Sequence, residues 1–211
     1  MMLLSLFLLS CNASRSPQYA PGGPLSQHVS NYQDSGHDLP TTVDDLMQKY
    51  KVPAGMDLEE LSERRPISVN VPRGSVADVL SMIVAQQPGF KWAEMNGVVN
   101  IGPQQDTDSI LDVRIAHFRV ADASFSQIHS AIVSLPEVKR WLEDNHLTER
   151  TPMVIDGLVS AGHPFLSRIS LDLQDITLRE ILNTVIKSSG FSSWIVSRYG
   201  EKQQYIMIGI D

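Results

Sequence analysis

Apolar and polar residues alternate from Ile67 through Val69 to Val71, and again from Ile169 through Leu171 to Leu173. A period of two marks one face of a β-strand. The spacing then changes in both places. Val76, Val79, Leu80, Ile83 and Val84 recur at helical intervals, and Leu178, Ile181, Leu182, Val185 and Ile186 do the same 102 positions later. That set is one apolar stripe of an amphipathic helix. The stretches ISVNVPRGSVADVL and ISLDLQDITLREIL therefore align without a gap. Between strand and helix each carries a capping signal, Ser75 with Asp78 and Thr177 with Glu180. The hydroxyl accepts from the third helical N–H while the acidic side chain reaches back to the cap.

A third strand-and-helix pattern lies between these two. Ala116, Phe118 and Val120 match the strand face, Asp122 matches Asp175, and Phe125, Ile128, Ile132 and Val133 carry the helix stripe behind a Ser124–Gln127 capping box. Hairpin signals follow the outer two helices. Phe90 and Trp92 lead into Met95-Asn96-Gly97 and then Val98–Gly102. Trp194 leads through a turn at Tyr199–Lys202 into Tyr205–Gly209. The middle helix is followed instead by a second helix opened by Pro136, with Val138, Trp141 and Leu142 on one face, and by a hairpin over Met153–Val159. A short helix from Thr42 carries Val43, Leu46, Met47 and Tyr50. The predicted fold is α+β: two small modules built from β-α-β-β units, each helix packed on a small mixed sheet. The modules span 41–103 and 108–211, joined at Pro103–Thr107.

The N-terminus has a different character. Leu3 to Leu9 form an apolar run too short to span a bilayer but long enough for a signal-peptide core. Leu8-Leu9-Ser10-Cys11 closes it and resembles a bacterial lipobox, in which cleavage before the cysteine exposes a thiol for lipid attachment. Met1 and Met2 supply no basic residue, a departure from the signal-peptide pattern that an upstream start would remove. Residues 1–10 are thus expected to be a signal peptide and Cys11 the lipid attachment site. Asn12 at the next position, by resemblance to enteric lipoproteins, implies the periplasmic face of the outer membrane. Residues 11–40, rich in Ser, Pro, Gly and Asn, read as a flexible tether.

Asp172-Leu173-Gln174-Asp175-Ile176-Thr177-Leu178, followed by the helix and a Gly-bounded pair of strands, resembles the short N-terminal (STN) domain of secretins and TonB-dependent receptors. The first unit is similar but places Pro72-Arg73-Gly74 at the turn. The resemblance covers about residues 67–102 and 168–209. It implies a docking surface in the periplasm, facing a neighbouring subunit or an envelope protein partner. The strands ending at Ile101 and Ile208 are the candidate edges for pairing with a partner strand. The candidate binding residues are Val99, Ile101, Ile206 and Ile208, with Trp92 and Trp194 beside them.

Composition narrows the alternatives. A net charge of −7 with pI near 5.3 argues against nucleic acid as partner. The single cysteine excludes an internal disulfide and a cysteine-based zinc site. No HExxH, GxSxG or phosphate-binding loop is present. No catalytic residue, cofactor or metal is therefore expected. His28 and His37 read as solvated, His129 as a core histidine on a helix, and His117 as pointing away from it. The acidic run DLEELSERRP reads as a solvated face with local ion pairs. The expected function is a non-enzymatic envelope lipoprotein that docks protein partners. The alternative is a sensor or carrier that binds a glycan or peptidoglycan fragment in a cleft between the modules, lined by the tryptophans. A hydrolase using Ser160 or His163 is the least favoured reading, because no base–nucleophile pair is visible.

Overall fold

The computed structural model describes residues 22–58, 65–105, 108–150, 168–189, 193–200 and 205–210. Its local structure follows the capping chemistry. Strand β1 (His28–His37) runs into helix α1 (Leu39–Tyr50), whose cap Asp38 accepts from the Thr41 N–H. After β2 (Ala54–Leu58) and β3 (Ile67–Ser75), helix α2 (Val76–Val84) starts with the Ser75–Asp78 capping box. The hairpin β4 (Phe90–Met95) and β5 (Val98–Pro103) turns at Asn96-Gly97, both at positive φ. Strand β6 (Arg114–Ala123), helix α3 (Phe125–Val133), helix α4 (Pro136–Asp144) and the two-residue β7 (Thr148–Glu149) follow. Then β8 (Ile169–Thr177) enters α5 (Leu178–Ser189). There the Glu180 carboxylate accepts from the Thr177 N–H at 2.9 Å, and the Thr177 hydroxyl accepts from the Glu180 N–H at 3.3 Å. Strands β9 (Ser193–Tyr199) and β10 (Tyr205–Ile210) close the chain's described part.

The strands form two antiparallel ribbons, β1–β3 and β6–β8, and one six-stranded sheet in the order β4-β5-β2-β9-β10-β7. Helices α1 and α2 touch the β1–β3 ribbon on one side and strands β2 and β4 on the other. Helix α5 touches β6 and β8 on one side and β9 on the other. The six-stranded sheet is two half-sheets joined edge to edge. In β4-β5-β2 the pairing is antiparallel then parallel, and in β9-β10-β7 it is the same. The joint, β2 with β9, is parallel, so the second half-sheet runs opposite to the first and is turned over. Two cores follow on opposite faces. Ala54, Met56, Val99, Ile101 and Trp92 join α1 and α2, whereas Trp194, Val196, Ile206 and Ile208 join α5. All five residues of β2 are buried because it serves both.

The mixed α and β architecture agrees with the α+β expectation, with differences in detail. The strands beginning at Ile67 and Ile169 do not share a sheet with the hairpins that follow them; each pairs instead with the strand that opens its half of the chain. Within the tether expected over 11–40, residues 28–37 are strand β1, and α1 starts at Leu39 rather than Thr42. Only Val29 and Tyr32 of β1 are buried, a spacing of three that hides the strand from a period-two reading. The same spacing recurs in β6, where Ile115 and Phe118 are buried and Ala116, expected on the inner face, is exposed. The Met153–Val159 hairpin lies outside the described residues.

Candidate functional site

The junction of the half-sheets is held by polar side chains. Asp57 on β2 is buried, and its Oδ2 accepts from the Ser109 hydroxyl at 3.0 Å and from the Arg179 guanidinium at 3.4 Å. Arg179, on α5, also reaches Asp112 at 3.5 Å. Behind this cluster runs a chain of hydrogen bonds. The Trp194 indole donates to Asn183 Oδ1 at 2.7 Å, Asn183 donates to Asn100 Oδ1 at 3.3 Å, and Asn100 donates to the Val98 carbonyl at 3.0 Å. In the other core the Trp92 indole donates to the Ser81 hydroxyl at 3.2 Å, across the same sequence separation of 11. Beside the cluster lies a cleft of about 210 Å³ lined by Asp57, Lys91, Met95, Gln105, Asp112 and Arg179 among others. It is smaller than the roughly 300–1,000 Å³ of most small-molecule pockets.

The second feature is the face of the β9–β10 hairpin turned away from the second core. Ile206, Ile208 and Ile210 point into that core, so Tyr205, Met207 and Gly209 point outward, half-buried. Tyr199 stands beside them, 41 % exposed. The Tyr199 and Tyr205 rings lie 5.6 Å apart, and the Arg150 guanidinium sits 4.3 Å from the Tyr205 ring centre. This cation–π contact holds Arg150 over the aromatic pair. Tyrosine, methionine and arginine are the side chains enriched where proteins meet.

The residues singled out from sequence lie elsewhere. Strand β5 sits between β4 and β2 and is not an edge. Strand β10 lies between β9 and the two-residue β7, which pairs only with Tyr205 and Ile206, so among the described residues no strand covers the outer side of β10 beyond Ile206. Val99, Ile101, Ile206 and Ile208 are buried core residues, as are Trp92 and Trp194. Neither tryptophan lines the junction cleft: on β4 the cleft takes Lys91, Ala93 and Met95, the face opposite Trp92. The acidic run divides, with Asp57 and Leu58 buried in β2 and 59–64 outside the described residues. Cys11, Ser160 and His163 also lie outside them.

Among the histidines, His117 is exposed and bonded to Asp172 at 2.7 Å. His129 is buried on α3, as expected, with Nε2 3.6 Å from Glu149 Oε1. That separation exceeds a hydrogen bond, and neither atom has another partner. Burial pushes the Glu149 carboxyl above its ordinary range, opposed by His129. Arg150 and the tyrosine pair were not found from sequence. The only available signal was the aromatic placement at both ends of the predicted turn, Tyr199 and Tyr205.

No family model matches the chain, and no curated protein or solved structure matches it either.

Proposed function

We propose that this chain is a non-enzymatic, lipid-anchored envelope protein whose paired modules dock a protein partner in the periplasm. Two lines of sequence support it: the lipobox-like Leu8-Leu9-Ser10-Cys11 segment and the STN-like patterns at 67–102 and 168–209. On this reading the chain is two like modules, each a ribbon, two or three helices and a three-stranded half-sheet, with Trp92–Ser81 and Trp194–Asn183 as matching internal bonds. The observation that carries the docking reading is the outward face of β9 and β10. Tyr199, Tyr205 and Arg150 there present aromatic surface with a fixed cation, the composition of a binding hot spot.

The test is a photo-cross-linking amino acid at Tyr199, beside a control at Arg119 on the exposed β6, in native cells. The reading expects a discrete adduct from position 199 and none from 119. Monomer alone from both positions would overturn it. Intact mass of the membrane-extracted protein, beside Cys11→Ala, tests the anchor separately; an unmodified, uncleaved chain would remove the envelope address. No helix among the described residues is long and apolar enough to cross a membrane.

A second reading is favoured by the junction cleft, where Lys91 and Arg179 face Asp57 and Asp112. This site would suit a small zwitterionic or acidic wall fragment. Trp92 and Trp194 do not line it, so the direct readout is heat of binding. Calorimetric titration of wall fragments into the protein, beside Lys91→Ala, would show heat that the variant loses; a flat titration would remove this reading.

A further inference from the structure

At the end of β1 the chain makes a tight bend. Gly36 has φ +88°, and the pairing register with β3 shifts between Ser35 and His37. The bend returns His37 over Asp34, and its Nδ1 lies 2.8 Å from Asp34 Oδ1. Helix α1 brings Asp45 to the same place, with Oδ2 3.9 Å from that nitrogen. One ligand atom from each of the three residues lies within 4.8 Å of the others.

Asp34 distinguishes this cluster from an ordinary acidic surface. Its side chain is only 10 % exposed, and its second oxygen, Oδ2, is buried with no hydrogen-bond partner. A buried carboxylate oxygen without a donor is costly and uncommon in folded proteins. Lys49, one turn beyond Asp45, leans over the Tyr32 and Tyr50 rings at 5.4 and 5.7 Å. Solvent reaches the cluster at His37 and Asp45.

We propose that Asp34, His37 and Asp45 form a binding site for a divalent transition-metal ion of the zinc or manganese kind. Two carboxylates neutralise the charge of such an ion, and the imidazole favours it over calcium or magnesium, which take oxygen ligands. Metal–ligand bonds of about 2.1 Å place two ligands of one ion at most about 4.2 Å apart. The 3.9 Å between His37 Nδ1 and Asp45 Oδ2 falls inside that limit, and side-chain rotation brings the three ligands to one ion. His37 and Asp45 are about half exposed, so their rotamers are free to do this. Three protein ligands leave at least one position for water or for a ligand from a partner.

The test is calorimetric titration of Zn²⁺, and separately Mn²⁺, into the chelator-stripped protein at neutral pH. Wild type, Asp45→Asn, His37→Ala and His28→Ala are compared, with thermal unfolding followed alongside. The expected result is one saturable site near one ion per chain for at least one of the two metals. Asp45→Asn and His37→Ala should each weaken it tenfold or more, and the metal should raise the wild-type Tm but not theirs. His28→Ala, at the far end of β1, should bind as wild type does. Absence of saturable binding of both metals to the wild type would overturn the proposal. So would binding that both site variants retain in full, or that His28→Ala abolishes. The readouts are independent of cross-linking to a partner, so this site and the docking reading fail separately.

Discussion

At the residue scale, the side chains with most chemical potential are spent on internal contacts. Trp194 bonds to Asn183 on α5 and Trp92 to Ser81 on α2. Asp78 accepts from the Ser75 backbone N–H and hydroxyl, which hold its carboxyl below the ordinary range. Glu149 is the exception, since burial raises its pKa. Its folded form holds a proton at pH values where the unfolded chain has released it. That burial therefore opposes folding as pH rises through the unfolded and then the folded pKa. Glu149→Gln removes the ionisation and keeps the shape. We expect a higher urea midpoint than wild type at pH 7, with the difference disappearing towards pH 4. A variant less stable than wild type at pH 7 would mean that the His129–Glu149 pair is held as ions.

At the element scale, one turn recurs. Gly36, Asp122 and Asp175 each lie three residues before a helix, and each has positive φ. Glycine tolerates that conformation freely and aspartate tolerates it better than most residues. The match of Asp122 with Asp175 was legible in the sequence, and its cause is this backbone geometry. Asp175→Gly should stay within about 0.5 kcal/mol of wild type, whereas Asp175→Val should lose about 1–2 kcal/mol. Chemical denaturation of the pair measures the difference; equal losses would show that the Arg114–Asp175 ion pair, not the φ angle, holds the turn. Strand β1 could not be found in the same way. Eight of its ten residues are not buried, so its stability comes from pairing with β3 rather than from its own pattern.

At the scale of the whole molecule, the joint between half-sheets decides the shape. Gly55 on β2 faces the fully buried Trp194, and a Cβ there would stand 1.9 Å from the indole Cε2. Gly55→Ala must therefore displace either the strand or the ring. We expect a loss of about 3 kcal/mol, at the upper end of overpacking costs, and a wild-type urea transition that splits into two. A single transition at the wild-type midpoint would mean that the half-sheets are held together mainly elsewhere.

Periodicity, capping residues and Asn-Gly turns determined where most helices and hairpins lie, because each depends on neighbours within a few positions. The helix stripes at Val76–Val84 and Leu178–Ile186 and the β4–β5 hairpin are of this kind. Tertiary structure alone decided which strands are edges. Sheet order is set by contacts between residues far apart in the chain, such as Asp57 with Arg179 and Gly55 with Trp194. Val99, Ile101, Ile206 and Ile208 look the same in sequence whether a strand is outermost or central. The three metal-site residues are likewise ordinary in the sequence, and only the bend at Gly36 and the docking of α1 bring them together.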